Sequence, residues 1–183
     1  MKKLNVGCGT EILKGWINLD CVSLPGVDVV HDLAILPLPF KEEEFDEIQC
    51  QDVLEHLDYI PVLREIYRIL KKSGKLKIRT THFTSSISYT DPTHKRFFTF
   101  RTFEFFVKNN YRQYYFDFHF DKIEDSKIIL DRGYDFGTPR LFCRFIESLE
   151  KWVNSSRRRK CFYEDSFLSR FFPARNLVVT LIK

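Results

Sequence analysis

The chain has 183 residues, 44% of them apolar and 30% charged, with a formal net charge of +4. That length suits one domain burying roughly 70% of its unfolded surface, and the composition excludes a disordered or fibrous chain. So modest a charge does not by itself call for nucleic acid, and no apolar run is long enough to span a membrane, so a cytoplasmic protein is expected.

Lys3-Leu4-Asn5-Val6 reads as a first strand that runs into Gly7-Cys8-Gly9-Thr10. Glycines at a strand end let the backbone turn and approach a ligand closely, because no Cβ intervenes. Glu11 stands where a third glycine would complete a dinucleotide fingerprint, which weighs against a nicotinamide-dependent oxidoreductase. The connection to Trp16 is too short for a full helix. Trp16-Ile17-Asn18-Leu19 is the second strand, ending on Asp20, whose carboxylate is placed to accept hydrogen bonds from a ribose. Such a pairing suits an adenosine-containing cofactor.

Val27-Asp28-Val29-Val30 follows a Pro25-Gly26 turn as a third short strand, with Asp32 beyond its end. The prolines of Leu36-Pro37-Leu38-Pro39-Phe40 make a loop. Residues 45–50 form the fourth strand, with Gln51 and Asp52 at its tip, and residues 53–57 begin a helical region in which Glu55 and His56 are read as stabilising a helix start, a catalytic or metal role for His56 being the lesser alternative. The next helix is the clearest element. Pro61 lies near its start, Val62, Leu63, Ile66, Ile69 and Leu70 recur at helical spacing, and Gly74 is expected to stop it. Lys75-Leu76-Lys77-Ile78-Arg79-Thr80 alternates as a fifth strand.

Strands alternating with loops and a helix in this order predict an open parallel sheet, with ligands bound beyond the carboxyl ends of its strands. Gly7, Gly9, Asp20, Asp32 and Gln51 collect at that edge.

Residues 3–82 as a whole resemble the class I S-adenosylmethionine-dependent methyltransferases of the broad type-11 group. The resemblance rests on Leu4-Asn5-Val6-Gly7-Cys8-Gly9, Gly15-Trp16-Ile17-Asn18-Leu19-Asp20, Asp32-Leu33, Phe45-Asp46-Glu47-Ile48, Val53-Leu54-Glu55-His56-Leu57 and residues 63–74. It implies a Rossmann-like, doubly wound, mostly parallel sheet in three α/β/α layers, with an antiparallel edge pair; in this chain about fifty residues separate the last two strands, which adds a helical insertion near the C-terminus. It implies S-adenosylmethionine as cofactor, with Gly7, Cys8 and Gly9 bordering the methionine part. Asp20 and Cys21 would lie at the ribose, Asp32 and Leu33 at the adenine, and Gln51 and Asp52 near the reactive methyl.

On this reading residues 1–183 are a single domain. Residues 1–82 bind the cofactor, 83–176 supply substrate-side loops and the insertion, and 177–183 close the sheet. Thr81 to Thr99 holds His82, Asp91 and His94 in a polar loop beyond the fifth strand, where substrate selection is expected. His94, then His82, are the candidate general bases, because imidazole titrates near neutral pH. An Asp91, His82 and His94 metal cluster is conceivable, but the spacing matches no standard ligand pattern, and no metal is expected. Arg101 to Lys108 reads as a short helix with Phe103, Phe106 and Val107 inward, and Tyr114 to Asp121 as a half-buried antiparallel strand. A helical segment near 141–153 belongs to the insertion, suspected of covering the acceptor site, and residues 177–182 form the last strand.

The run Arg157-Arg158-Arg159-Lys160 reads as a solvated surface or a phosphate contact. Cys8, Cys21, Cys50, Cys143 and Cys161 form no paired motif, which fits a reducing compartment and no zinc or disulfide framework. The expected activity is methyl transfer to a small molecule. The alternatives are a nucleic-acid acceptor and a non-catalytic, cofactor-binding regulatory subunit of the same fold.

Overall fold

In the computed structural model, which describes residues 1–133 and 139–183, seven strands form one mixed sheet. They are β1 (Lys3–Val6), β2 (Ile17–Asp20), β3 (Val29–Val30), β4 (Phe45–Gln51), β5 (Leu70–Thr81), β6 (Lys122–Leu130) and β7 (Ala174–Ile182), in the order β3-β2-β1-β4-β5-β7-β6. The first five are parallel, and β7 runs antiparallel to both β5 and β6. The helices are α1 (Tyr59–Ile69), α2 (Ile87–Thr90), α3 (Arg140–Asn154), α4 (Arg157–Asp165) and α5 (Leu168–Phe171). This is the Rossmann-like class I architecture with its antiparallel edge pair and C-terminal helices, as expected.

Residues paired across strands share a face. Leu4, Ile48, Leu76 and Leu181 form one such row, and Val6, Cys50, Ile78 and Val179 the next. All eight are buried in one core with Val62, Leu63, Ile66 and Ile69 of α1 and with Phe98, Phe103, Phe106 and Phe120. Each such fully buried side chain contributes roughly 1.5–3 kcal/mol. The opposite face carries Lys3, Glu47 and Lys75 in one row and Asn5, Gln49 and Lys77 in another, with Glu47 paired to both Lys3 and Lys77. No described helix joins β1 to β2, β2 to β3 or β3 to β4, so the helical cover is uneven. No helix among the described residues is long and apolar enough to cross a membrane.

Three expectations are corrected. Tyr114 to Asp121 is not a strand: Gln113–Tyr115 is a 3-10 turn, and Phe116, Phe118 and Phe120 follow as chain outside the sheet ladder, packing on Phe106 and Tyr67. Alternation there reports one-sided burial, not pairing. The strand beside β7 is β6, whose Glu124, Asp125 and Lys127 lie exposed at the sheet edge. α1 ends at Ile69, well short of the expected stop at Gly74; within β5, Ser73 rather than Gly74 takes the left-handed backbone (φ 61), while a Cβ on Gly74 would stand 2.7 Å from the Lys71 carbonyl oxygen. The segment near Arg101 forms only a 3-10 turn, Thr102–Phe106, though Phe103 and Phe106 are buried as expected.

Candidate active site

The glycine bend at the tip of β1 is sterically enforced. Gly7 has φ 64, and a Cβ there would lie 2.3 Å from Val53 Cγ2, so an L side chain would be strained by the backbone and would force Val53 aside. Gly9, at φ 49, faces open space, and its N–H donates to Asp20 Oδ2 at 2.8 Å. The Val22 N–H donates to Asp20 Oδ1 at 3.0 Å. Asp20 is therefore held in place at the end of β2, only 9% exposed, with lone pairs to spare for a further donor. Asp32 lies just past β3 and accepts from Ala34 N–H at 2.9 Å, an Asx turn that fixes its direction.

These side chains converge. Gly7, Asp20, Cys21, Asp32, Leu33 and Asp52 line one cavity of about 260 Å³, closed by Val53, His56 and Leu57. Of the other residues expected there, Cys8 is buried, Gly9 reaches the cavity only through its bond to Asp20, and Gln51 does not line it. Burial, and next the Asp20 carboxylate, push both the Cys8 and the Cys21 thiols up. Asp52 holds a left-handed backbone (φ 52) and is paired with Arg79 of β5.

A second cavity of about 410 Å³ adjoins the first and shares Asp52 and His56 with it. Its other walls include Glu55, Arg79, Thr81, Asp91, His94 and Asn176. Glu55 is fully buried and accepts from Thr80 Oγ1 at 2.9 Å and Thr81 N–H at 3.3 Å, so it braces the tip of β5 instead of a helix start. His56 leaves the 3-10 turn Leu54–His56 with Nδ1 2.7 Å from Thr93 Oγ1, and its ring meets that of His94 edge-on at 4.6 Å. Thr93 Oγ1 in turn donates to Asp91 Oδ1 at 2.6 Å. This hydroxyl, with the Thr93 N–H, holds the Asp91 carboxyl below its usual range. His94 Nδ1 stands 3.3 Å from the Ser88 carbonyl oxygen.

His82 is placed otherwise. It is fully buried, with Nδ1 2.7 Å from Thr84 Oγ1 and Nε2 3.1 Å from Glu164 Oε1, and it lines neither cavity. It shares parity with Leu76, Ile78 and Thr80, and the core side of β5 carries on through it. The described residues of α3, α4 and α5 also line neither cavity.

Residues 4–78 match a family model described as "Methyltransferase domain". The uncharacterized protein MJ0638 of Methanocaldococcus jannaschii is 57% identical over 42 residues, which is 23% of this chain and 19% of that protein, so the match spans about a fifth of the relative's length. Among solved structures, a SAM-dependent methyltransferase from Archaeoglobus fulgidus aligns with TM-score 0.62 at 20% identity, over 100% of this chain and 86% of its own. A SAM-dependent methyltransferase from Thermotoga maritima aligns with TM-score 0.61 at 17% identity, over 100% and 81%. At these identities the two structures establish likeness of fold.

Proposed function

We infer that this chain, whose residues 4–78 form an S-adenosylmethionine-dependent methyltransferase domain, moves the cofactor's methyl group to a small polar molecule held in the second cavity. The observation that carries the reading is that Gly7, Asp20, Asp32 and Asp52 line one cavity, which meets another through Asp52 and His56. Asp20 accepts the ribose hydroxyls, Asp32 the adenine amino group, and Leu33 lies against the ring. The bend at Gly7 and Gly9 leaves room for the methionine part, and Asp52 faces the sulfonium. S-adenosylmethionine supplies a methyl that is already activated, so the protein's part is to align an acceptor with it. Orientation of that kind lowers a barrier by about 7–11 kcal/mol without a dedicated base. His94, whose Nδ1–H is directed to the Ser88 carbonyl, keeps a lone pair on Nε2, able to take a proton or to hold a cation.

A nucleic-acid acceptor has less support, because the basic run lies on α4, which lines neither cavity, and three of its four members are engaged within the protein while Arg158 is exposed. Arg157 makes two hydrogen bonds to Glu104 at 2.7 and 2.9 Å, Arg159 lies over the Trp152 ring at 5.3 Å, and Lys160 is buried against Ser126.

Calorimetry with S-adenosylhomocysteine tests the first cavity: the native chain binds, and Asp20→Ala binds at least tenfold more weakly. Labelled methyl transfer into fractionated cell extract tests the second. Label in the small-molecule fraction is expected. Label confined to nucleic acid would move the acceptor class, and cofactor binding with no labelled product would favour a regulatory subunit. Absence of any binding of either cofactor form would overturn the whole assignment.

A further inference from the structure

We propose that His56, Asp91 and His94 form a divalent-metal site on the wall of the second cavity. One ligand atom from each lies within 4.8 Å of the other two. His56 comes from the turn after β4, whereas Asp91 and His94 lie just beyond α2, so the fold brings together groups that sequence spacing keeps apart.

The surrounding hydrogen bonds leave one ligand atom over on each residue, and two of these, His94 Nε2 and Asp91 Oδ2, stand 3.9 Å apart. A carbonyl oxygen only accepts, so His94 Nδ1 carries the proton directed at Ser88 O, and Nε2 keeps its lone pair. Thr93 Oγ1 spends its only proton on Asp91 Oδ1, so it accepts from His56 Nδ1–H, and the lone pair of His56 is on Nε2. Asp91 Oδ1 takes both Thr93 donors, which leaves Oδ2 open. Histidines whose second nitrogen is fixed by a carbonyl or a polar side chain are the usual form of metal-binding imidazoles, because that bond sets tautomer and ring direction. Here the outer bonds are in place on both rings.

Two neutral imidazoles and one carboxylate suit a borderline cation such as zinc. Calcium and magnesium demand oxygen-rich sets. Ligand atoms around tetrahedral zinc stand roughly 3.4 Å apart at bonds of about 2.1 Å, so the three groups, within 4.8 Å of one another, close by up to about 1.4 Å through side-chain rotation. The Asp91 side chain is 42% exposed and that of His94 only 4%, so the movement falls to Asp91 and His56, closing on a fixed His94. Three protein ligands leave a coordination position open, the form of a reactive rather than a structural site. Asp52 lines the same cavity, so an acceptor oxygen, nitrogen or thiol bound at that open position would be held on the side of the methyl. The metal site stands apart from the methyl-transfer reading, whereas its use in holding an acceptor rests on that reading.

The test is titration of the full chain with cobalt(II), followed by its visible absorption, and with zinc by calorimetry. S-adenosylhomocysteine affinity is measured in parallel. One equivalent of cobalt with a four- or five-coordinate spectrum is expected. Asp91→Asn keeps an acceptor for Thr93 but loses the anionic ligand, and His94→Ala loses an imidazole. Each should bind zinc at least tenfold more weakly while the melting temperature stays within about 4 °C of native and S-adenosylhomocysteine affinity within twofold. A native chain that takes up no cobalt overturns the proposal. So does a thiolate charge-transfer band that survives in both variants, because that places the ion on a cysteine. Cobalt binding in a chain that fails to bind S-adenosylhomocysteine leaves the metal site standing and removes the cofactor reading instead.

Discussion

Across the tips of β4 and β5, Arg79 donates to Asp52 Oδ2 through Nε at 2.9 Å and again through Nη2, fixing a carboxylate that borders both cavities. S-adenosylmethionine carries a positive sulfonium and S-adenosylhomocysteine does not. If Asp52 faces that charge, Asp52→Asn weakens the methyl donor at least tenfold and the demethylated product less than threefold. Asparagine tolerates the left-handed backbone at this position, so folding is kept. Paired calorimetric titrations read the difference directly. Equal losses for both ligands would assign Asp52 a packing role only.

Gly7 and Gly9 share a positive φ but not their surroundings, which makes them an internal comparison. Gly7→Ala forces a methyl group into Val53 and costs at least the roughly 1–2 kcal/mol of a left-handed L residue. S-adenosylhomocysteine binding should fall more than tenfold, with part of it restored by adding Val53→Ala. Gly9→Ala meets nothing within 4 Å, so it should cost about 1 kcal/mol of stability and leave binding within a few-fold. Thermal melts and calorimetry on the three variants check this. A Gly9→Ala variant as impaired as Gly7→Ala would refute the crowding argument.

Which parts of this were legible in the sequence follows from how local each signal is. Asp20 and Asp32 were readable because an acid at the end of a short apolar run, or one residue beyond it as at Val30-His31-Asp32, has few places to go except the strand tip. The α1 helix was readable because Val62, Leu63, Ile66 and Ile69 repeat at its own period and are all buried. His56 was not, because what gives it meaning is contact with His94 and Thr93, nearly forty residues further along the chain. Its one local sign was its place four residues after Asp52, at a strand tip already rich in polar groups. β6 was passed over because an edge strand needs apolar residues on one face only, and its charges hid Ile128 and Leu130. Lys160 was read with its arginine neighbours as surface, although its amine is buried on Ser126.

Cys21 offers a chemical probe of the cofactor cavity. Burial and the Asp20 carboxylate push its thiol up, so less of it is thiolate at neutral pH than in an unperturbed cysteine. Its alkylation rate should therefore keep rising with pH beyond the range in which a free thiol has levelled off, and Asp20→Asn should speed it near pH 8. Because Cys21 lines the cavity, S-adenosylhomocysteine should slow its modification, while fully buried Cys50 stays unlabelled throughout. Peptide mass spectrometry after timed iodoacetamide exposure measures all of this. If the ligand binds yet gives Cys21 no protection, the cofactor lies elsewhere.

Glu164 and His82 form a buried pair that ties α4 to the end of β5. Thr84 N–H donates to His82 Nδ1 at 3.3 Å, so the ring proton sits on Nε2 and goes to Glu164 Oε1 at 3.1 Å, and the same oxygen accepts from Phe100 N–H at 2.8 Å. With both nitrogens engaged and no cavity beside it, His82 serves packing. Glu164→Leu strands two buried donors, each worth about 1–3 kcal/mol when unsatisfied. At about 2–4 °C per kcal/mol for a chain of this size, the melting midpoint should drop by roughly 5–20 °C. S-adenosylhomocysteine affinity, measured well below the new midpoint, should change less than threefold, and turnover per folded molecule should follow it. A variant that melts like the native chain but loses turnover would return His82 to the chemistry.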